Sequence, residues 1–207
     1  MAVHETTQPF AAQNLIEEIN HRVFNDYTEA ILSLSRAAAC VAGPPRRVLF
    51  DAVDRLKAQA EAHRILLPPV SNDLVNLADY IGGLCEALSR VARGDGAVHI
   101  ALEIDEVWLD ASRSWRLGLI VAELIRNAAR HGLGRQQGCV GVRIAERLGG
   151  VFCLVCNRNF AAPGRANGRG LRLVRSLAAD LGGTVSWRFT QSCSVVALEI
   201  PASPIDV

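Results

Sequence analysis

A carboxylate and an amide lie one helical turn apart in the segment VAELIRNAARHGL, which covers residues 121–133. Glu123 and Asn127 are four residues apart, so they share one face of a helix, and Arg130 and His131 follow one turn later. Carboxylate and amide oxygens are ligands that Mg2+ accepts, with water and phosphate completing its shell. The pair therefore indicates either a site for Mg2+ and phosphate or an ordinary solvated helix face.

Two glycines provide a second contact for phosphate at the start of another predicted helix. Gly168 and Gly170 open the segment GRGLRLVRSLAADLGG, residues 168–183. Backbone amides at a helix N-terminus attract anions, and glycine lets a ligand approach the backbone closely. A glycine-rich loop without a ligand has the same composition, so the order of the two segments along the chain carries more weight than either one alone.

A histidine lies on the polar side of the first predicted helix, within LIEEINHRVFNDYTEAILSLSRAAA, residues 15–39. Apolar residues recur there at steps of three and four, and His21 lies about 200° around the helix from Ile19 and Val23. The residues in line with it are all polar: Glu17, Asn25 and Thr28. A neutral imidazole is nucleophilic near pH 7, so His21 is either a solvated surface residue or a nucleophile presented to a partner.

The elements that position these residues are predicted from periodicity and chain breakers. Two helices, at about 10–41 and 48–66, are separated by the GPP at 43–45 and form an antiparallel hairpin. A hairpin alone leaves apolar stripes uncovered, so it requires the rest of the chain or a second copy. A dimeric four-helix bundle is the simplest solution, and we expect a dimerisation domain over residues 1–69.

Beyond the PPV at 68–70 helices and strands alternate, which predicts an α+β domain over residues 70–207 with one sheet covered on one face by helices. The predicted helices are at 71–93, 112–133 and 168–181. The predicted strands are at 97–104, 107–109, 139–146, 151–157, 184–189 and 193–200.

Composition argues against several classes of protein. Half of the 207 residues are hydrophobic, and 22 basic and 21 acidic residues give a formal net charge of +1. This balance provides no basic surface for nucleic acid or an anionic membrane, and no apolar run approaches the roughly 20 residues that span a bilayer. The N-terminal sequence lacks a signal-peptide pattern. We therefore expect a cytoplasmic protein that binds neither nucleic acid nor membrane.

Six cysteines are present, and two of them form a CxxC motif. Cys153 and Cys156 lie in a predicted strand, where residues three apart point to opposite faces. No second CxxC or histidine pair completes a tetrahedral site. We expect core cysteines rather than a metal or redox centre.

The order of these motifs resembles the two-component sensor histidine kinases, in the branch with an HRxxN-like phosphoacceptor box that includes the HWE-type kinases. EINHRVFN (18–25) resembles the phosphoacceptor box, ELIRNAARH (123–131) the N box, and GRGLRLV (168–174) the second glycine box. The resemblance runs from Gln13 to Pro201. It implies a dimeric four-helix bundle followed by a Bergerat-type ATP-binding α/β sandwich.

The resemblance also implies a role for each candidate residue. His21 is the phosphorylated residue, and Arg22 and Asn25 lie beside it in the box. Glu123 and Asn127 hold Mg2+, and the implied partner is the receiver domain of a response regulator. The implied nucleotide-binding set is Glu123, Asn127, Arg130, His131, Asn157, Gly168 and Gly170.

Two features depart from the family pattern. The first glycine box of the family reads DxGxG, and its aspartate accepts a hydrogen bond from adenine, whereas residues 157–161 here read NRNFA. Asn157 accepts such a bond without charge assistance, which weakens it by about 1 kcal/mol, and the segment that matches the ATP lid, 160–167, is short. In addition, about 14 residues precede the segment 15–39 that contains His21, too few for a sensor domain, so signals are expected to come through a partner.

Three functions therefore remain open. In the first, the protein is a histidine phosphotransferase on a kinase-like scaffold, and His21 exchanges a phosphoryl group with a response-regulator aspartate whose domain supplies its own Mg2+. In the second, it is a sensor-free histidine autokinase that uses ATP and Mg2+. In the third, it is a non-catalytic binding module of the same ATPase fold. The change at Asn157 favours the first function over the second, and the HR box on a helical hairpin disfavours the third.

Overall fold

The computed structural model describes residues 8–92, 98–132, 138–158, 168–190 and 192–201. The chain divides into two compact units, Met1–Ala60 and Glu61–Val207. This division falls within the second helix, whereas the sequence places the domain limit at 69/70. The last turn of that helix belongs to the second unit because its Ala62 is part of the hydrophobic core there.

Two helices contain nearly all described residues of the first unit. Helix α1 spans Gln8–Ala39 and helix α2 spans Pro44–Ile65, joined by a turn in which Gly43 has a φ of 70°. Helix α2 begins earlier than predicted because Pro44 and Pro45 occupy its first turn, where a missing N–H costs nothing. The two predicted helices are thus confirmed.

The second unit continues with three helices and seven strands. The helices are α3 (Leu77–Ala92), α4 (Ala111–Asn127) and α5 (Arg169–Asp180), and a π-helical turn, Ala128–Gly132, directly follows α4. The strands are β1 (Leu74–Asn76), β2 (Val98–Ile104), β3 (Trp108–Asp110), β4 (Gly138–Arg147), β5 (Gly150–Arg158), β6 (Thr184–Phe189) and β7 (Cys193–Ile200).

Five of these strands form a mixed sheet in the order β2-β4-β5-β7-β6. Strands β2 and β4 are parallel, and the other neighbours are antiparallel. The β4–β5 hairpin closes through Leu148 and Gly149, whose φ angles of 49° and 75° match the twist that two-residue hairpin turns require. Helices at the N-terminus followed by a mixed sheet with helices confirm the predicted α+β class.

Burial along β5 shows how the sheet meets the helices. Val151, Cys153 and Val155 are buried, and the residues between them are half-buried. Helix α3 packs on β2, α4 on β5, and α5 on β6. Burial, with a smaller contribution from the nearby Cys85, raises the pKa of the Cys153 thiol to about 12. Both thiols are core groups, and Cys156 lies on the half-buried side of the same strand.

Strand β1 was not predicted, because the sequence pattern places residues 71–93 in one helix. Residues 74–76 instead pair with β3. Helix α3 begins only at Leu77, where the Asn76 side chain accepts a hydrogen bond of 2.8 Å from the Ala78 N–H. A capping side chain of this kind fixes a helix start more firmly than periodicity does.

The last turn of α2 is attached to the second unit by two side chains. The Tyr80 hydroxyl donates to the Ile65 carbonyl at 3.3 Å, and Trp115 Nε1 donates to the Leu66 carbonyl at 2.9 Å. Carbonyls at a helix C-terminus lack intrahelical partners, so these donors complete the helix end. We call Tyr80 and Trp115, with the two carbonyls, the α2 clasp.

Candidate functional site

His21 lies in the middle of α1, and its side chain is exposed. Arg22 and Asn25 are exposed beside it, as is Thr28, so the polar row faces solvent as its spacing predicts. A helix is a rigid carrier, and an exposed imidazole on it is accessible to a protein partner. His21 is therefore accessible to solvent on the surface of α1.

Arg22 is the only one of the three predicted phosphoacceptor residues with an ion pair among the described residues. Its Nε donates to Glu18 Oε1 at 2.7 Å, one helical turn toward the N-terminus. Both side chains are largely exposed, at 75% for Arg22 and 56% for Glu18. The guanidinium next to the candidate nucleophile is therefore already paired with a carboxylate. The i, i+4 spacing of Glu18 and Arg22 is the signal in the sequence that indicates this pair.

The second group of candidate residues depends on α4. This helix begins where the Asp110 carboxylate accepts a hydrogen bond of 2.9 Å from the Arg113 N–H. Its apolar face is buried in the core through Leu117, Ile120, Val121, Leu124 and Ile125. Glu123 and Asn127 are half-buried, one turn apart. Packing of the apolar face thus fixes where the carboxylate and the amide lie.

Asn127 is the last α-helical residue, and the π-helical turn starts immediately after it. Single π-helical turns are rare and are often found at functional sites. This one packs against β5 and β7. Within the described ranges, Asn127 Nδ2 is buried without a hydrogen-bond partner. Arg130 is exposed, and the side chain of His131 lies outside the described residues.

Gly170 and Glu123 are brought into direct contact. A Cβ placed on Gly170 would lie 2.6 Å from Glu123 Cδ and closer still to Oε1, so no other residue fits without moving the carboxylate. At Gly168, by contrast, a Cβ would meet nothing within 4 Å. The first turn of α5 therefore contacts the Glu123 side chain of α4. This contact requires a glycine at 170 but not at 168.

Asn157 is the residue that matches the aspartate of the DxGxG glycine box in the sequence. It is at the end of β5, 8% exposed, on the same side of the strand as Val155. Its Nδ2 donates to the Arg158 carbonyl at 3.1 Å. Ser114 is the other buried polar residue in the described part of the chain. A buried amide thus lies at this end of the central strand. Residues 159–167, which contain the rest of the glycine box and the lid, lie outside the described ranges.

These residues fit a nucleotide with a divalent cation. Glu123 and Asn127 offer oxygen ligands one turn apart, and Mg2+ needs few protein ligands because it retains water and phosphate oxygens. The buried Asn127 Nδ2 has no hydrogen-bond partner among the described residues, so it is a polar group at the edge of the core that a ligand could satisfy. Gly168 begins α5 with no side-chain hydrogen bond to cap it, which leaves space near the helix end.

Residues 18–92 match the family model HisKA_2, described as histidine kinase. The blue-light-activated histidine kinase 2 of Erythrobacter litoralis is 24% identical over 204 residues, which cover 91% of this chain and 57% of that protein. The sensor histidine kinase PdtaS of Mycolicibacterium smegmatis is 28% identical over 196 residues, which cover 90% of this chain and 39% of that protein. The chain thus spans about half the length of these relatives or less.

Solved structures show the same fold. The histidine kinase domain of the E. litoralis EL346 blue-light-activated kinase superposes with a TM-score of 0.61 and 22% identity, covering 85% of this chain and 96% of that one. A bacterial phosphotransferase superposes with a TM-score of 0.59 and 12% identity, covering 95% of this chain and 100% of that one. Full-length ShkA, solved in complex with AMPPNP, superposes with a TM-score of 0.51 and 16% identity, covering 91% of this chain and 45% of that one. No helix in the described residues is long and apolar enough to cross a membrane.

Proposed function

We propose that the chain is a phosphorelay protein of the two-component histidine kinase family, in which His21 exchanges a phosphoryl group with the aspartate of a response-regulator receiver domain. The observation that carries this proposal is the exposed His21 on the polar face of α1, within the segment that matches the family model. The protein acts as a histidine phosphotransferase on a kinase-like scaffold.

The exchange needs little from this chain beyond a positioned nucleophile. The unprotonated nitrogen of the His21 imidazole attacks the phosphorus of the aspartyl phosphate. An N–P bond forms as the acyl P–O bond breaks, and the aspartate leaves as a carboxylate. The proton on the other ring nitrogen stays there until solvent removes it. The reverse reaction returns the phosphoryl group to the regulator, which supplies its own Mg2+.

The surroundings of His21 support a protein partner. Asn25 and Thr28 continue the exposed polar face toward the C-terminus of α1 and offer hydrogen-bonding groups to a receiver domain. Exposed apolar side chains on both helices support dimerisation through a four-helix bundle. These apolar side chains are Leu15, Ile16, Ile19 and Leu32 on α1 and Val48 and Phe50 on α2.

The test is transfer from a phosphorylated regulator. Receiver domains from the source organism are loaded with radiolabelled phosphate and mixed one at a time with the full chain. We expect acid-labile label on the wild-type protein and none on His21→Ala. His99→Ala is the matched control, because His99 is an exposed histidine in the second unit. Label that persists in His21→Ala, or its absence with every receiver domain, would exclude the proposal.

A second candidate function, ATP-dependent autophosphorylation of His21, is favoured by the contact between Glu123 and Gly170 and by the unpartnered Asn127 amide. Mg2+, when bound, would neutralise phosphate charge. Glu123 and Asn127 would hold it, and the Asn157 side chain would accept a hydrogen bond from adenine. Because that acceptor is neutral here, we expect weaker nucleotide binding than with an aspartate at this position.

Calorimetry with ATP and Mg2+ on the wild type and on Asn157→Asp tests the second function. A charged acceptor should tighten binding by about tenfold, since charge-assisted hydrogen bonds are stronger by 1 kcal/mol or more. Asn127→Ala should remove binding in both backgrounds. Micromolar binding followed by label on His21 from ATP would make the protein a self-sufficient kinase. No binding by either protein would leave the second unit as a scaffold.

A further inference from the structure

The ion pair next to His21 joins Arg22 to Glu18, which lies outside the phosphoacceptor residues His21, Arg22 and Asn25. Glu18 lies three residues before His21 and four residues before Arg22, so its carboxylate is a helical neighbour of both. The hydrogen bond of 2.7 Å between Arg22 Nε and Glu18 Oε1 holds the guanidinium one turn toward the N-terminus. The cation nearest in sequence to the nucleophile is therefore bound to an anion that also borders the nucleophile.

We propose that Glu18 is a positioning residue that keeps Arg22 from neutralising the phosphoryl group on His21, and thereby raises the tendency of phosphohistidine to pass its phosphoryl group on. This inference rests on the proposed role of His21. Glu18 makes and breaks no bond in the transfer. It acts through Arg22 and through its own charge.

Charge explains why the pair matters. A phosphoryl group carries a charge of about −2 near neutral pH and is stabilised by guanidinium groups, which bind it through two parallel hydrogen bonds. A carboxylate at the adjacent helical position repels it. As long as Glu18 holds Arg22, phosphorylated His21 has an anion beside it and a cation engaged elsewhere. The N–P bond is then easier to break when a regulator aspartate attacks the phosphorus and the imidazole leaves with its electron pair.

The exposure of the pair limits the size of the effect. Arg22 and Glu18 are 75% and 56% exposed, so water and salt screen both charges. We expect a change of about threefold to fivefold in the transfer equilibrium, which corresponds to the upper range measured for surface ion pairs. The change should decrease at high ionic strength.

Two glutamates on the same helix provide a matched comparison. Glu17→Gln and Glu18→Gln each remove one negative charge beside His21, because Glu17 lies four residues before it, but only Glu18 holds Arg22. At equilibrium between phosphorylated regulator and phosphorylated His21, Glu18→Gln should shift the ratio toward phosphohistidine about threefold to fivefold. Glu17→Gln should shift it less than half as much. Equal shifts, or none, would overturn the proposal.

The Arg22→Gln background tests whether Glu18 acts through Arg22. There the additional effect of Glu18→Gln should fall to that of Glu17→Gln, because no guanidinium remains to be released. An undiminished effect of Glu18→Gln in this background would mean that its charge acts on His21 directly, and the positioning role would be wrong.

A readout without any regulator separates this inference from the proposed function. Potassium phosphoramidate phosphorylates exposed histidines chemically, and the NMR signal of the Arg22 Nε–H group reports its hydrogen-bond partner. In Glu18→Gln this signal should move when His21 is phosphorylated, whereas in the wild type it should stay near its Glu18-bound position. Equal movement in both proteins would refute the inference, as would failure of phosphoramidate to load His21. Loss of regulator transfer alone would refute only the proposed function.

Discussion

The two units of this chain differ in how completely each buries its own apolar residues. In the described part of the first unit only Ala38, Val53 and Ala58 are buried apolar residues. The second unit, by contrast, has a core cluster of thirty buried residues among those described. Many large apolar side chains on the first unit's helices are exposed, for example Ile19, which is 50% exposed. The first unit therefore leaves apolar helix faces that another surface can cover, whereas the second buries a core of its own.

The same difference separates the two candidate sites. His21 is on a helix surface, where a protein partner reaches it directly. Asn127 and Asn157 are on the border of a packed core, and Asn127 Nδ2 is buried without a hydrogen-bond partner among the described residues. An exposed nucleophile suits exchange between proteins, and a half-buried cluster of oxygen and amide groups suits a nucleotide. The first proposed function therefore relies on His21 of the first unit, and the second also needs the candidate nucleotide site of the second unit.

The largest expected effect concerns the core of the second unit. Leu117 in α4 is fully buried, so Leu117→Ala should lower the free energy of unfolding of this unit by about 2–5 kcal/mol through lost burial and a cavity. Urea unfolding followed by tryptophan fluorescence measures it selectively, because Trp108, Trp115 and Trp187 are all in the second unit. The matched control is Leu32→Ala on α1, where Leu32 is 51% exposed. A fluorescence midpoint shifted equally by both variants would contradict the contrast between the units.

The next prediction concerns the uncovered helices. Ile19→Asp places a charge within the exposed cluster Leu15, Ile16 and Ile19. If a second copy covers this cluster, the dissociation constant of the dimer should rise at least about a hundredfold, because each dimer would bury two unpaired carboxylates. Sedimentation velocity over a range of concentrations measures this change. Thr28→Asp adds the same charge to the exposed polar face and should leave the dimer intact. A monomeric wild type would contradict dimerisation through these helices.

A smaller effect is expected where the two parts of the nucleotide-like site meet. Gly170→Ala pushes a methyl group into the end of the flexible Glu123 side chain, which can move aside, so the cost in stability should be about 1 kcal/mol, the low end for overpacking. Gly168→Ala enters open space and should change stability by no more than about 0.5 kcal/mol. Thermal unfolding of both variants checks this. If ATP binds, Gly170→Ala should also weaken its binding, since the carboxylate moves. Equal tolerance of alanine at both positions would mean that the contact is not maintained in solution.

Periodicity and breakers predicted most elements of this fold because long helices and alternating strands leave a clear pattern. They failed where a single side chain decides the outcome. Asn76 begins α3 by capping, which removes residues 74–76 from the predicted helix. The π-helical turn after Asn127 is set by packing against β5 and β7, which no local pattern encodes.

The candidate site shows a similar limit. The spacing of Glu123 and Asn127 predicts a shared helix face, and the structure has them on one. The contact of Gly170 with Glu123 is different, because it joins residues far apart in the chain, and only the packing of α5 on α4 brings them together. Likewise, the spacing of Glu18 and Arg22 indicates that an ion pair is possible. It does not predict that the pair forms, since exposed ion pairs of this kind gain little free energy.

The smallest predicted effect is at the α2 clasp, where the second unit holds the last turn of a helix that begins in the first. Burial raises the pKa of Tyr80 to about 12, so its hydroxyl stays protonated and donates to the Ile65 carbonyl at neutral pH. Trp115→Phe removes the shorter of the two hydrogen bonds, of 2.9 Å, and leaves the Leu66 carbonyl without that donor. We expect a loss of about 1 kcal/mol and faster amide hydrogen exchange at residues 65–67. Trp108→Phe changes an exposed tryptophan and is the control. Unchanged exchange at 65–67 in Trp115→Phe would mean that apolar packing of Ala62 and Ile65, rather than the clasp, holds this helix end.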